Sequence, residues 1–267
     1  MIVPLLAQPF VPVRAGVYSL GKADRVENPP RKVPLKAFEI AARETTNAEF
    51  EAFVRETGYV TDAERLHNAM VFAPPLPEFQ WLADRTAYWR FPNGIKRGGI
   101  EKKADHPVTA ISFADALAYC KWAKVRLPTL DEWEAAARAG TNTDYFFGKG
   151  RSGIQKFANI WHGRDHLKAD LTDGYTTTSP VGHFAPNPLG LYDIYGNVFE
   201  FCTGTLPSDR SKSRVHARGG SWWCSPNACC FFNSADIGSA DIHASFSNQG
   251  FRVARSTGNY RGTTTWF

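Results

Sequence analysis

Cys224 and Cys229 lie five positions apart, directly after the stretch Gly219-Gly-Ser-Trp-Trp223, in a chain with only five cysteines. Two thiols at that spacing can hold one soft metal ion or close a small disulfide. Thiolates select Cu(I), Zn or iron–sulfur clusters over hard cations. Cys230 follows directly and is either a further thiol at the site or a bystander packed the other way. Cys120 sits on an apolar helix face and reads as core, and Cys202, behind Phe199-Glu-Phe201, reads as packed. His162 and His166 have the i, i+4 spacing of a helical metal pair, but Gly163 and Arg164-Asp165 between them read as a loop without a third ligand. His243, between the cysteine pair and Gly250, is a candidate for the same cavity.

Three helix signals must position these residues. Thr46-Asn-Ala-Glu49 is a capping box, after which Phe50, Phe53 and Val54 repeat at helical spacing up to a stop at Gly58. Ser112 opens a second helix with Phe113, Ala116, Leu117 and Cys120 on one face. Thr129-Leu-Asp-Glu132 opens a third, running through Trp133 and Ala137 to a glycine stop at Gly140. Elsewhere the apolar segments are short and interrupted by 22 Gly and 17 Pro, which predicts few long strands and much irregular backbone. Such a fold needs internal cross-braces.

Composition agrees with one large core. The 267 residues sit near the upper size for a single domain, and 43% hydrophobic and 13% aromatic content is ample for burial. We expect one domain over 1–255 and a C-terminal tail over 256–267. A net charge of +5 spread along the chain lacks the clustered basic stripe of a nucleic-acid binder. An odd number of scattered cysteines does not read as a secreted disulfide scaffold. Met1 to Val13 is apolar but has no charged n-region, and no uncharged apolar run nears the ~20 residues that span a bilayer. The expectation is no membrane partner and a cytoplasmic location, or a periplasmic one if a leader was removed.

Several segments carry a family resemblance, from about Phe10 to Arg255. They are Thr45-Thr-Asn-Ala-Glu-Phe50, Thr57-Gly-Tyr-Val-Thr-Asp-Ala-Glu64, His106-Pro-Val-Thr-Ala-Ile-Ser-Phe-Ala-Asp-Ala116, Arg126-Leu-Pro-Thr-Leu-Asp-Glu-Trp-Glu134, Asn187-Pro-Leu-Gly-Leu-Tyr-Asp-Ile-Tyr-Gly-Asn197, Arg218-Gly-Gly-Ser-Trp-Trp-Cys224 and Gly250-Phe-Arg-Val-Ala-Arg255. In order and spacing the chain resembles the formylglycine-generating enzyme, or sulfatase-modifying factor, family. The resemblance implies an α+β fold of low regular content, related to C-type lectin domains.

It also implies a site. In the family both cysteines hold Cu(I), a substrate thiol adds a third sulfur, and O2 removes the substrate's β-hydrogen on the way to an aldehyde. By that resemblance Cys224 and Cys229 are copper ligands and Ser221 lines the pocket. From the residues alone, a disulfide or two buried thiols remains the simpler reading. The resemblance further implies a structural Ca2+ at Asn159, Asp173 and the backbone of Ile160 and Tyr175, and a second at Asn197 and Glu200, where Phe199 and Phe201 replace tryptophans common in the family.

One departure concerns recognition. Where the family places arginines after the second cysteine, this chain has Phe231, Asn233 and Ile237, which carry neither the charge nor the donors of a guanidinium. The expected function is a copper- and O2-dependent oxidase acting on a cysteine in a peptide or protein, or on a small thiol, with a sulfatase peptide in doubt as substrate. The alternatives are a redirected oxidation in a biosynthetic pathway, as in siderophore maturation, and a non-catalytic binding module braced by calcium.

Overall fold

Four Ser or Thr side chains start the four α-helices among the described residues, each by the same reciprocal bond. The computed structural model describes residues 9–72 and 76–257. In it Thr46 caps α1 (Asn47–Thr57), Thr61 caps α2 (Asp62–Leu66), Ser112 caps α3 (Phe113–Ala123) and Thr129 caps α4 (Leu130–Arg138). In each, the cap oxygen accepts from the third helical N–H, while the acid at that third position accepts from the cap's own N–H. Helix α1 stops at Gly58 as the sequence predicts, in the left-handed region at φ 66°. Helix α4 stops one residue before the expected glycine, with Ala139 itself at φ 47°. Helix α2 is an addition to the sequence reading. Its Thr61-Asp-Ala-Glu64 is a capping box, but five residues are too few to show a period.

The strands are short. They are β1 (Phe10–Val13), β2 (Gly16–Leu20), β3 (Arg31–Leu35), β4 (Phe38–Ala41), β5 (Ala69–Val71), β6 (Leu82–Asp84), β7 (Ala158–Asn159), β8 (Tyr195–Gly196), β9 (Phe199–Cys202), β10 (Arg214–Arg218), β11 (Gly238–Asp241), β12 (Gln249–Gly250) and β13 (Ala254–Ser256). Strand β4 lies between β1 and β13, antiparallel to both, which ties the two ends of the described chain together. The sheet that serves the cysteine pair runs β11-β10-β9-β12. Its outer strand β12 is parallel to β9, with Gln249 opposite Phe199. The tail expected over 256–267 begins inside β13, and from 258 it lies outside the described residues.

Two apolar cores flank this sheet. One gathers Phe38, Ile40, Trp133, Ile194 and Tyr195 with Cys224; the other gathers Phe50, Phe53, Trp89, Tyr119, Phe201 and Phe251. Fully burying each such side chain contributes about 1.5–3 kcal/mol. Cys120 and Cys202 are packed in these cores as expected, and burial pushes both thiols up from the ordinary range.

The cross-braces that so irregular a backbone requires are buried ion networks. Glu134, on α4, accepts from Arg218 (3.0 Å), Arg138 (2.8 Å), Asn28 (2.8 Å) and Gly21 N (2.7 Å). Burial pushes its carboxyl up, but Arg218, Asn28 and Arg138 together carry it below the usual value. Glu200 accepts from Arg252 at 2.5 and 2.6 Å and from Trp133 Nε1 at 2.6 Å. These bonds join α4 to both middle strands of the sheet. Among the described residues no helix is long and apolar enough to cross a membrane.

Candidate functional site

Strand β10 is followed by Gly219 and Gly220, at φ 89° and 73°, which an added side chain would strain. A Cβ on Gly220 would also lie 2.7 Å from Phe232 N, so the turn needs glycine. The chain then reverses, with Cys224 N donating to Ser221 O at 2.9 Å. Trp161 N donates to Cys224 O, and Trp222 N to Asn197 O, each at 2.9 Å, which fastens the turn to its neighbours. Ser225 Oγ accepts from Asn227 N (3.2 Å) and Ala228 N (3.0 Å), bending the chain back. The Cα atoms of Cys224 and Cys229 thereby come within 4.5 Å, and their sulfurs are joined as a disulfide. Of the alternatives open from the residues, the structure therefore holds the oxidised pair.

The two sulfurs differ in surroundings. Cys224 is 0% exposed, whereas Cys229 belongs to the wall of a cavity of about 630 Å3. Ser221 Oγ stands 3.9 Å from Cys224 Sγ and accepts from Asn248 Nδ2 at 2.8 Å, so its own proton is available to the sulfur. Two-electron reduction would leave two thiols on a backbone that already holds them side by side, one enclosed and one open. That donor set fits a soft cation. Among the described residues no group of three or more His, Cys, Asp or Glu is placed to hold a metal, so such an ion would have two protein ligands and room for a third from the cavity.

The histidines fall elsewhere. His166 is buried in a stack between Trp161 and Trp223, with ring centroids at 4.9 and 4.3 Å. Its Nε2 donates to Trp223 O at 2.7 Å, which occupies the nitrogen a metal would need and buttresses the cysteine turn. His162 turns instead toward Asp173, at 3.5 Å, so the two do not form a metal pair. His243 also leaves the cavity. Its Nδ1 is 2.9 Å from Asp62 on α2, and the Asp62 carboxylate raises its pKa above the ordinary value.

Cys230 lies in the cavity wall with its thiol against the Ser225, Pro226 and Ala228 carbonyls. Where arginines were expected, Phe231 and Ile237 line the cavity. Asn233 points inward and holds its own loop, accepting from Ala235 N and Asp236 N at 2.9 Å. Residues the sequence reading did not single out complete the wall, among them Trp81, Trp223, Phe246 and Gln249. They come from three separate segments, and no local pattern joins them.

The first oxygen cluster has one unmet acceptor. Asp173 Oδ1 accepts from Tyr175 N at 3.0 Å, but Oδ2 is buried with no hydrogen bond, as is the neighbouring His162 Nε2. Asn159 joins this loop by donating to Thr177 O at 2.8 Å. An orphaned carboxylate oxygen beside irregular backbone fits a hard cation.

The second cluster does not fit as expected. Both Glu200 oxygens are taken by Arg252 and Trp133, and Asn197 Oδ1 accepts from Ser179 N at 3.0 Å. The unmet acceptor here is Asp193 Oδ1, a residue the sequence reading passed over. Glu44, donated to by Asn197 at 2.6 Å, is held well above the ordinary carboxylate value by burial, reinforced by Asp193 and Glu200.

Comparison with known proteins gives one answer. Residues 5–257 match the family described as sulfatase-modifying factor enzyme 1-like domain. The chain is 36% identical to the formylglycine-generating enzyme of Mus musculus, over 94% of this chain and 76% of that protein. It is 35% identical to the formylglycine-generating enzyme of Thermomonospora curvata, over 93% of this chain and 94% of that one. It is also 36% identical to the inactive C-alpha-formylglycine-generating enzyme 2 of Mus musculus, over 87% and 79%. Among solved structures, PvdO from Pseudomonas aeruginosa superposes with a TM-score of 0.68 at 25% identity, covering 93% of this chain and 94% of that one. Treponema denticola variable protein 1, at 21% identity and a TM-score of 0.65 over 93% and 95% of the two chains, shares the fold.

Proposed function

Because the chain belongs to the formylglycine-generating enzyme family, we propose that it is a copper- and O2-dependent oxidase of a cysteine in a peptide or protein, or of a small thiol. The observation that carries this reading is the asymmetric cysteine pair, one sulfur enclosed and the other opening on a cavity. Cu(I), held by Cys224 and Cys229 after reduction, would supply a soft position for the substrate sulfur and an electron donor to O2.

The protein's own groups have separate tasks. Ser221, oriented by Asn248, places a hydroxyl proton toward Cys224 and favours its thiolate. The Trp161–His166–Trp223 stack keeps the enclosed side of the turn dry and fixed. The aromatic wall excludes water from the side where a substrate thiol would enter. Structural calcium belongs to the same reading, with Asn159, Asp173 and the carbonyls of Ile160 and Tyr175 as its holders. Nothing in the proposal requires nucleic acid or a membrane.

The test uses protein reduced without oxygen, loaded with one equivalent of Cu(I) and given cysteine peptides in air. The reading expects oxygen uptake and an aldehyde that a hydrazide reagent traps, both absent from copper-free protein. Neither signal with any peptide or small thiol would overturn it. One observation favours a second reading, a non-catalytic calcium-braced module: the two sulfurs are bonded to each other, as a structural disulfide would be. On that reading reduction lowers stability and yields no copper-dependent chemistry.

A further inference from the structure

Resting on the oxidase reading and narrowing it, we propose that the cavity beside Cys229 takes a peptide whose cysteine is flanked by aromatic or long aliphatic side chains, and disfavours acidic neighbours.

Two features of the wall point to this class. The first is apolar area. Phe79, Trp81, Phe199, Phe231, Ile237 and Phe246 line a cavity of about 630 Å3, far more than one cysteine side chain needs. Apolar surface on a substrate is removed from water there, and ring edges and faces are offered to it. Phe79, at 66% exposed, and Phe231, at 39%, are the most open of these.

The second feature is charge. The ionised side chains in the wall are Asp24, Glu27 and Asp236 against one guanidinium, Arg25. Arg25 is already bound between Asp24 and Asp236. An acidic residue of the substrate would meet surplus negative charge and no free cation among the described wall residues; a neutral or basic one would not.

The experiment measures binding alone. Peptides of equal length carry serine in place of cysteine, flanked by Trp and Leu, by Ser, or by Glu, and are titrated calorimetrically into the copper-free, disulfide form of the full chain. The expected order is apolar, then polar, then acidic, with about tenfold or more between apolar and polar flanks, the size of burying one large side chain. Ile237→Arg should weaken the apolar-flanked peptide and strengthen the acidic one. If that variant does not fold, Phe231→Ser, at an exposed position, should still lower apolar-flanked binding. Affinity independent of the flanks, an acidic-flanked peptide binding best, or a free aliphatic thiol binding as tightly as the peptide would each overturn the proposal. No copper or oxygen enters this assay, so the oxidase reading and the pocket's preference fail separately.

Discussion

A buried carboxylate oxygen without a hydrogen bond calls for a cation or a proton, and Asp173 Oδ2 is such an atom. If calcium supplies the charge, adding it at a hundredfold excess over Kd should stabilise the protein by roughly 2.7 kcal/mol. Asp173→Ala should lose that increment, and melting curves with calcium and with chelator measure it. Equal melting temperatures in the unmutated protein would rule out calcium at this site. Arg252 poses the same problem in reverse. It is the guanidinium that answers Glu200, and Arg252→Met should cost about 3–5 kcal/mol in urea unfolding, because a buried charge is left alone. The sequence displayed this arginine in Gly250-Phe-Arg252, but its partner lies 52 residues earlier in the chain, and nothing local names it. The juxtaposition of Cys224 and Cys229 was legible because they sit five positions apart, whereas Ser221 was marked by the family resemblance alone. Asp193 and the cavity aromatics were not, since packing alone brings them together.

At the scale of elements, capping did most of the specifying. Thr129 satisfies the first turn of α4, the helix that carries Trp133 and Glu134 to the braces of both sheet strands. Thr129→Ala should cost about 1 kcal/mol, within the range of roughly 0.5–2 for such caps, read from the shift in the urea midpoint. Three of the four helices were legible from cap and period together, and α2 escaped because a cap without a period is weak evidence of a helix. Strands of two to five residues leave no period to read, so their pairing was illegible.

One loop contact gives a pH dependence. His106 is buried, bonded at 3.0 Å to Thr178, and burial, aided by the Lys103 charge, lowers its pKa to about 4 from the usual 6.5. The unfolded chain therefore takes up this proton first on acidification. The stability contributed by neutral His106 is complete above pH about 6.5 and declines as the pH falls toward 4. His106→Gln should flatten that part of a melting-temperature profile, whereas an unchanged slope would place the loss elsewhere.

For the molecule as a whole, the low regular content and the family were legible because many short motifs kept their order across nearly the full chain. What the chain does at its cavity was less so, since the pair could be read as ligands or as a cross-link and the structure holds it oxidised. The proposed chemistry turns on whether these sulfurs, once reduced, act together on a soft ion. The direct measurement is an anaerobic titration of reduced protein against a chromophoric Cu(I) chelator. One tightly held Cu(I) is expected in the unmutated chain, lost in Cys224→Ser and in Cys229→Ser and retained in Cys120→Ser, because a hydroxyl is a poor ligand for so soft an ion. Tight Cu(I) binding by the Cys224→Ser, Cys229→Ser double variant, or none by the reduced unmutated chain, would contradict it.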